Sequence, residues 1–268
     1  MDINISNISL INPSIGAILI TSTVSMAVYI QLISNKWFSN DDFEKMQNVG
    51  GIYMSAVGTL YSVVLGMILV NASGDFSDAR RCVEQESSAL VKLYYSSIEM
   101  PERYRSEIVS SISKYVDYVL TYEWDRMSEK EINESTTSLL TKIWYSIKNI
   151  EPETENQKAI YPLLLQSYED ALDNRIIRIT YSNYSITGIE WFCLISGGIV
   201  IIFFSLFFSI RNKIAHAAMT GMVAFMVSIN LYAVYMLSEP FNGFMYIPKE
   251  RFLYLVELIK EKEINPIK

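Results

Sequence analysis

Charged residues leave four stretches of the chain empty: Ile3 to Asn35, Met46 to Gly74, Trp191 to Ile210 and, with His216 counted as neutral, Ile214 to Ser238. A bilayer core of about 30 Å takes about 20 helical residues, so each stretch can cross a membrane once and is too short to cross twice. The pattern predicts spans at residues 15–34, 49–71, 188–210 and 214–237, with tails at residues 1–14 and 238–268. Between spans two and three, over residues 72–187, the pattern becomes a helical stripe. Ala79, Val83, Glu86, Leu90 and Tyr94 recur at three or four residues, so the second span is expected to continue as a helix beyond the bilayer. Pro101 suits the first turn of the next helix, whose stripe is Tyr104, Ile108, Ile112, Tyr115, Val116 and Val119. Leu139, Leu140, Ile143, Ile147 and Ile150 supply a shorter helix up to Pro152. Residues 156–184 supply a long one, striped by Ile160, Leu164, Tyr168, Leu172, Ile176 and Ile179.

Strand-like alternation is missing, and glycine is absent between Gly74 and Gly188. The expected fold class is therefore all-α: four transmembrane helices in a 2+2 arrangement, with a large helical extramembrane bundle inserted between spans two and three. After the fourth span, Pro240 and Gly243 make a turn and Pro248 opens a short amphipathic helix. Phe252, Leu255, Val256 and Ile259 line one side of it, and docking on the bundle is expected rather than lying on lipid.

Composition agrees, because half of the 268 residues are hydrophobic and only 19% are charged, too apolar a mixture for water alone. A net charge of −7 offers no basic face to nucleic acid, which is set aside as a partner. Cys82 and Cys193 lie in unlike settings and give no disulfide framework. The sequence holds no H-E-x-x-H, P-loop, G-x-S-x-G or G-x-G-x-x-G, so neither an enzyme nor a cofactor is expected. Its single histidine, His216, cannot build a multi-histidine metal site and reads as an anchor at the membrane interface.

Lys36 and Lys45 in one short loop, and Arg211 and Lys213 in the other, favour a cytoplasmic side for both loops. Arg80, Arg81, Lys249 and Arg251 weigh the other way. The expectation is a multi-pass protein of the plasma (inner) membrane with the large domain extracytoplasmic and Cys82 as its labelling reporter.

The string from Asn48 to Tyr95 resembles the bacterial membrane family called bestrophin-like. The matching residues are Asn48, then Gly58, Leu60 and Tyr61 as G-x-L-Y, then Leu65 and Gly66, and on the following helix Ala79, Val83, Glu86, Leu90, Leu93 and Tyr94. A second match runs from Glu239 through Pro240, Phe241 and Gly243 to Pro248, similar to an acidic-P-F-x-G turn element of that family. The first loop is less basic than the family's pattern, and the aromatic usual after the second span is replaced near Ala72 to Gly74. The resemblance implies kinship in layout with bestrophin chloride channels. Its expectation is a homo-oligomer in the lipid bilayer with a channel-like or transport-related role, the second span nearest the subunit axis. The alternative is a non-conducting sensor, scaffold or defence component whose helical domain binds a protein partner.

Within the second span, Gly51 and Ser55, and separately Gly58, Ser62 and Gly66, recur every four residues, with Thr59 beside them. Small residues at that spacing serve helix packing within a subunit, packing between subunits, or a pore lining. Asn230, well inside the fourth span, is expected to hydrogen-bond between helices or to line a hydrated cavity. Glu86 falls on an apolar stripe and needs a cation, for which Arg175 or Arg178 is the candidate, as a structural or a gating pair. From Asp75 to Gly188 the chain carries thirteen Lys or Arg against nineteen Asp or Glu, so this domain is acidic by six. An acidic vestibule would enrich cations rather than anions.

Overall fold

The structure, a computed structural model, describes residues 13–37, 40–128, 134–206, 212–242 and 245–264. In chain order it contains α1 (Pro13–Trp37), α2 (Asn40–Ile98), α3 (Glu102–Tyr118), a π-helical turn (Val119–Glu123), α4 (Trp124–Ser128), α5 (Glu134–Lys148), α6 (Glu155–Asn183), α7 (Gly188–Leu206), α8 (Lys213–Leu237) and α9 (Glu250–Ile264). The described residues form no strand, and the all-α class holds. Among the described residues, four helical segments are long and apolar enough to cross a membrane: Pro13–Ile33, Gly50–Ile98, Gly188–Leu206 and Lys213–Leu237. Gly243 of the turn element, Arg211 and residues 1–12 lie outside the described residues, as do the side chains of Lys36, Lys45 and Asn48.

The residues group into two compact units that share α2. One unit holds α1, α2 up to Asp75, α7 and α8, with α1 and α7 each packed against α8. The α2 span joins its neighbours through two small apolar clusters, one around Tyr61, Ile201 and Val227 and one around Ile68, Leu194 and Val234. Tyr61 lies flat on α7 because Gly197 has no side chain there: a Cβ on Gly197 would stand 2.4 Å from Tyr61 Cδ2.

The other unit holds the rest of α2 with α3 to α6 and α9, around one large apolar core. The stripes meet there: Val83, Leu90 and Leu93 of α2, Ile108, Ile112 and Val116 of α3, Ile143 and Ile147 of α5, and Leu164 and Ala171 of α6. Pro101 sits one place outside α3 as its N-cap, in extended conformation, rather than in the first turn. The start of α6 is a capping box, in which Thr154 Oγ1 accepts from Gln157 N while Gln157 Oε1 accepts from Thr154 N, both at 3.2 Å. Helix α6 runs on through Pro162. The loss of one backbone donor there is tolerated because Leu164, Tyr168 and Ala171 bury the following turns. Helix α9 docks on the bundle: Phe252 and Leu255 are fully buried, and Ser87 Oγ donates to Arg251 O at 2.8 Å.

Candidate functional site

In the α2 span the glycines have open space beside them. A Cβ added at Gly50, Gly51, Gly58 or Gly66 would find no atom within 4 Å. Among the described residues, no side chain or neighbouring helix of this chain occupies the space beside these glycines. Ser55, Thr59 and Ser62 are exposed. Thr59 Oγ1 donates to Ser55 O and Ser62 Oγ to Thr59 O, each at 2.8 Å, so these hydroxyls are satisfied along their own helix.

Among the described residues the bond that Asn230 makes is to its own helix: its Nδ2 donates to Met226 O, four residues back on α8, at 2.7 Å. It lines an apolar hollow of about 300 Å³ with Tyr61, Met222 and Met226. An amide can be accommodated there because the helix backbone one turn away supplies the acceptor. His216 is also placed differently from its sequence reading. It is 3% exposed, with Nδ1 3.0 Å from Gln31 Nε2 and Nε2 3.1 Å from Ser205 O. Since the Gln31 amide donates, Nδ1 accepts and Nε2 carries the proton toward the Ser205 carbonyl. His216 thus ties α8 to α1 and α7 instead of anchoring at the lipid surface.

The helical unit buries a four-member ion network at the crossing of α2, the π-helical turn and α6. Arg178 Nε donates to Glu86 Oε2 at 2.6 Å and its NH2 donates to Glu123 Oε1 at 2.7 Å, with all three side chains at most 2% exposed. Arg175 NH2 donates to Glu123 Oε2 at 2.9 Å, so Arg175 and Arg178 share one carboxylate and only Arg178 reaches Glu86. Tyr115 Oη donates to Glu86 Oε1 at 2.5 Å. Burial alone would push the Glu123 carboxyl up, but the Arg178 and Arg175 guanidiniums outweigh it and hold it below the ordinary glutamate range. Burial would pull Arg178 down, yet Glu86 and Glu123 raise it well above its ordinary value, which keeps it charged. Burial and then Glu86 push the Tyr115 hydroxyl well up. Two guanidiniums against two carboxylates leave the cluster neutral, with no free charge facing a ligand.

Cys82 lies in the same core, 2% exposed, its thiol pushed up to about 12 mainly by burial. A buried, protonated thiol is no labelling reporter. In the turn element, Phe241 packs edge-on to Trp124 at 5.9 Å and Pro240 O accepts from Ile247 N at 2.8 Å. Glu239 is the last residue of the membrane unit's segment before the turn.

Residues 21–252 match the family model described as a Bestrophin-like domain, which spans most of the chain from the first span to the start of α9. The chain belongs to the bestrophin-like family. A search of curated proteins finds no match. Among solved structures, a mutant of a bacterial bestrophin homologue from Klebsiella pneumoniae superposes with a TM-score of 0.71 at 11% identity, covering 92% of this chain and 99% of that one. Another mutant of the same homologue gives 0.70 at 12% identity, covering 90% and 97%. A crystal structure described only as a membrane protein gives 0.68 at 12% identity, covering 90% and 96%. Identities this low show a shared fold, and the family together with the four apolar helices makes this a membrane protein.

In this bestrophin-like chain, no group of three or more His, Cys, Asp or Glu among the described residues could hold a metal ion. Two residues of the polar clusters carried signals that periodicity reading passed over. Glu123 stands four places after Val119 on the α3 stripe, where an apolar residue would be expected, as Glu86 does on its own stripe. Gln31 is the longest polar side chain in the first span, and in hydrocarbon an amide needs partners. Its partners lie 185 and 189 residues away, beyond any local pattern.

Proposed function

We propose that this chain is the subunit of a homo-oligomeric, channel-like membrane protein, with the outward face of the α2 span meeting neighbouring copies around a shared axis. The observation that supports it is the open face of α2. Glycines at positions 50, 51, 58 and 66 have no neighbour in their own chain, and the span's most apolar window is 6% buried. Glycine is a poor helix former, so a row of them facing nothing is costly unless another backbone or a narrow passage needs the space. Satisfied hydroxyls on the same face, from Ser55, Thr59 and Ser62, would coat a passage without binding an ion tightly. The six excess acidic charges of the helical domain enrich cations in its surroundings, so cations are the proposed species.

Gly58→Leu and Gly66→Leu test this by the oligomer fraction in mild detergent and ion flux from liposomes. Lost assembly with lost flux is expected. An intact oligomer with lost flux moves these residues from packing to pore lining, and no change in either overturns the proposal. On the charge of the short loops, the helical domain is proposed to be extracytoplasmic. Asn149, exposed at the end of α5, is the place for a reporter. With Cys193→Ser, an Asn149→Cys chain would take an impermeant thiol reagent in intact cells; labelling only after lysis reverses the orientation.

A further inference from the structure

The spans α1, α7 and α8 do not close completely on one another. Between them lies a slot of about 380 Å³, lined from Trp191 to Ile202 on α7, from Gly16 to Thr23 on α1 and from Val227 to Tyr235 on α8. Its walls are side chains such as Leu19, Ile195, Ile199 and Leu231. Trp191 stands in the first turn of α7, Gly16 in the first turn of α1 and Tyr235 in the last turn of α8, so all three mark the same end of the slot. At that end the Trp191 and Tyr235 rings pack 6.3 Å apart, the amphipathic aromatics that favour the membrane interface. From Trp191 to Ile202 is eleven residues, about 16 Å of helix. This is about half of a hydrocarbon core about 30 Å thick. The slot therefore runs from one interface to the midplane, the depth of one leaflet.

Tyr232 lines the slot one turn below Tyr235, its ring lying across Gly16, where an added Cβ would stand 2.6 Å from the hydroxyl. The hydroxyl itself is buried against α1, so the ring and not the oxygen forms the wall there. Its mostly apolar walls and its leaflet depth suit the slot to a single acyl chain of the surrounding bilayer.

We propose that this slot holds one acyl chain of a membrane phospholipid, entering beside Trp191 and Tyr235. The chain replaces no side chain and fills the space α1 leaves against α7. It makes the three-helix unit of each subunit complete only when lipid is present.

The test uses the full chain purified in mild detergent, loaded with phosphatidylglycerol bearing brominated acyl chains and then washed free of loose lipid. In the wild type, lipid phosphorus stays with the protein and Trp191 emission is quenched, a component that Trp191→Phe removes. Ile195→Phe with Ile199→Phe fills the slot and should abolish both signals. Met219→Phe, on an exposed α8 position outside the slot, should leave them as they were. Equal retention in the filled variant, or none in the wild type, overturns the proposal. So does recovery of a non-phospholipid apolar compound, or a change of particle mass in the filled variant without a change in lipid, which would assign the slot to a neighbouring subunit.

Discussion

The helical unit and the membrane unit solve opposite problems with the same secondary structure. In the helical unit, helices from six parts of the chain bury their stripes on each other, and the few charges taken inside are all paired. In the membrane unit, between 6% and 28% of each span's most apolar window is buried, and contacts rest on glycine clefts and a few polar bonds. Water rewards the first arrangement, because each apolar stripe is driven from solvent. Lipid gives no such reward to the second, so helices there meet where small residues allow close approach or polar groups need partners. A core completed within one chain contrasts with a set of spans that leaves most of its surface uncovered by the chain itself.

The contrast breaks most visibly at Arg178. Arg178→Leu strands Glu86 and part of the Glu123 interaction in a fully buried core, and removing one partner of a buried pair costs about 3–5 kcal/mol. Helical-domain unfolding, followed by circular dichroism in mild detergent, should move to much lower temperature. A variant within error of wild type would show that the network is not what joins α2 to α6. Next comes the glycine cleft of the membrane unit. Gly197→Ala puts a methyl group into the Tyr61 ring, an overpacking of about 1–3 kcal/mol, and Tyr61→Ala in the same chain should recover part of the loss. If the double variant is no better than the single one, the Tyr61 contact does not set the helix spacing.

Acid should separate the units without any mutation. Glu123 holds its proton less tightly folded than unfolded, so between its folded pKa and about 4.3 the unfolded chain binds more protons. Its contribution is complete above that window and disappears as pH falls through the folded value. Thermal midpoints from neutral to acid pH should drop more steeply for wild type than for Glu123→Gln, and parallel curves would refute the linkage. The smallest effect is expected at Arg80, whose partner Glu84 is 3.5 Å away on the exposed face of α2. Exposed pairs contribute at most about 1 kcal/mol, so Arg80→Ala should leave the midpoint almost unmoved. A large loss there would mean that this face is covered in the assembly.

Several features followed from the order of residues alone, because their physics is local. Uncharged stretches of about 20 residues announce spans. The stripe through Ile108, Ile112, Val116 and Val119 announces a helix that must bury one side, and Glu86 on such a stripe announces a cation to be found. Which cation, and that Glu123 would stand between Arg175 and Arg178, depended on where the π-helical turn and α6 cross. The tertiary structure alone showed that Asn230 bonds to its own helix, and that His216 meets Gln31 across 185 residues of chain. It alone showed that a Cβ on the glycines of the α2 span would meet no atom of this chain, since spacing says which residues share a face of a helix but not what that face meets.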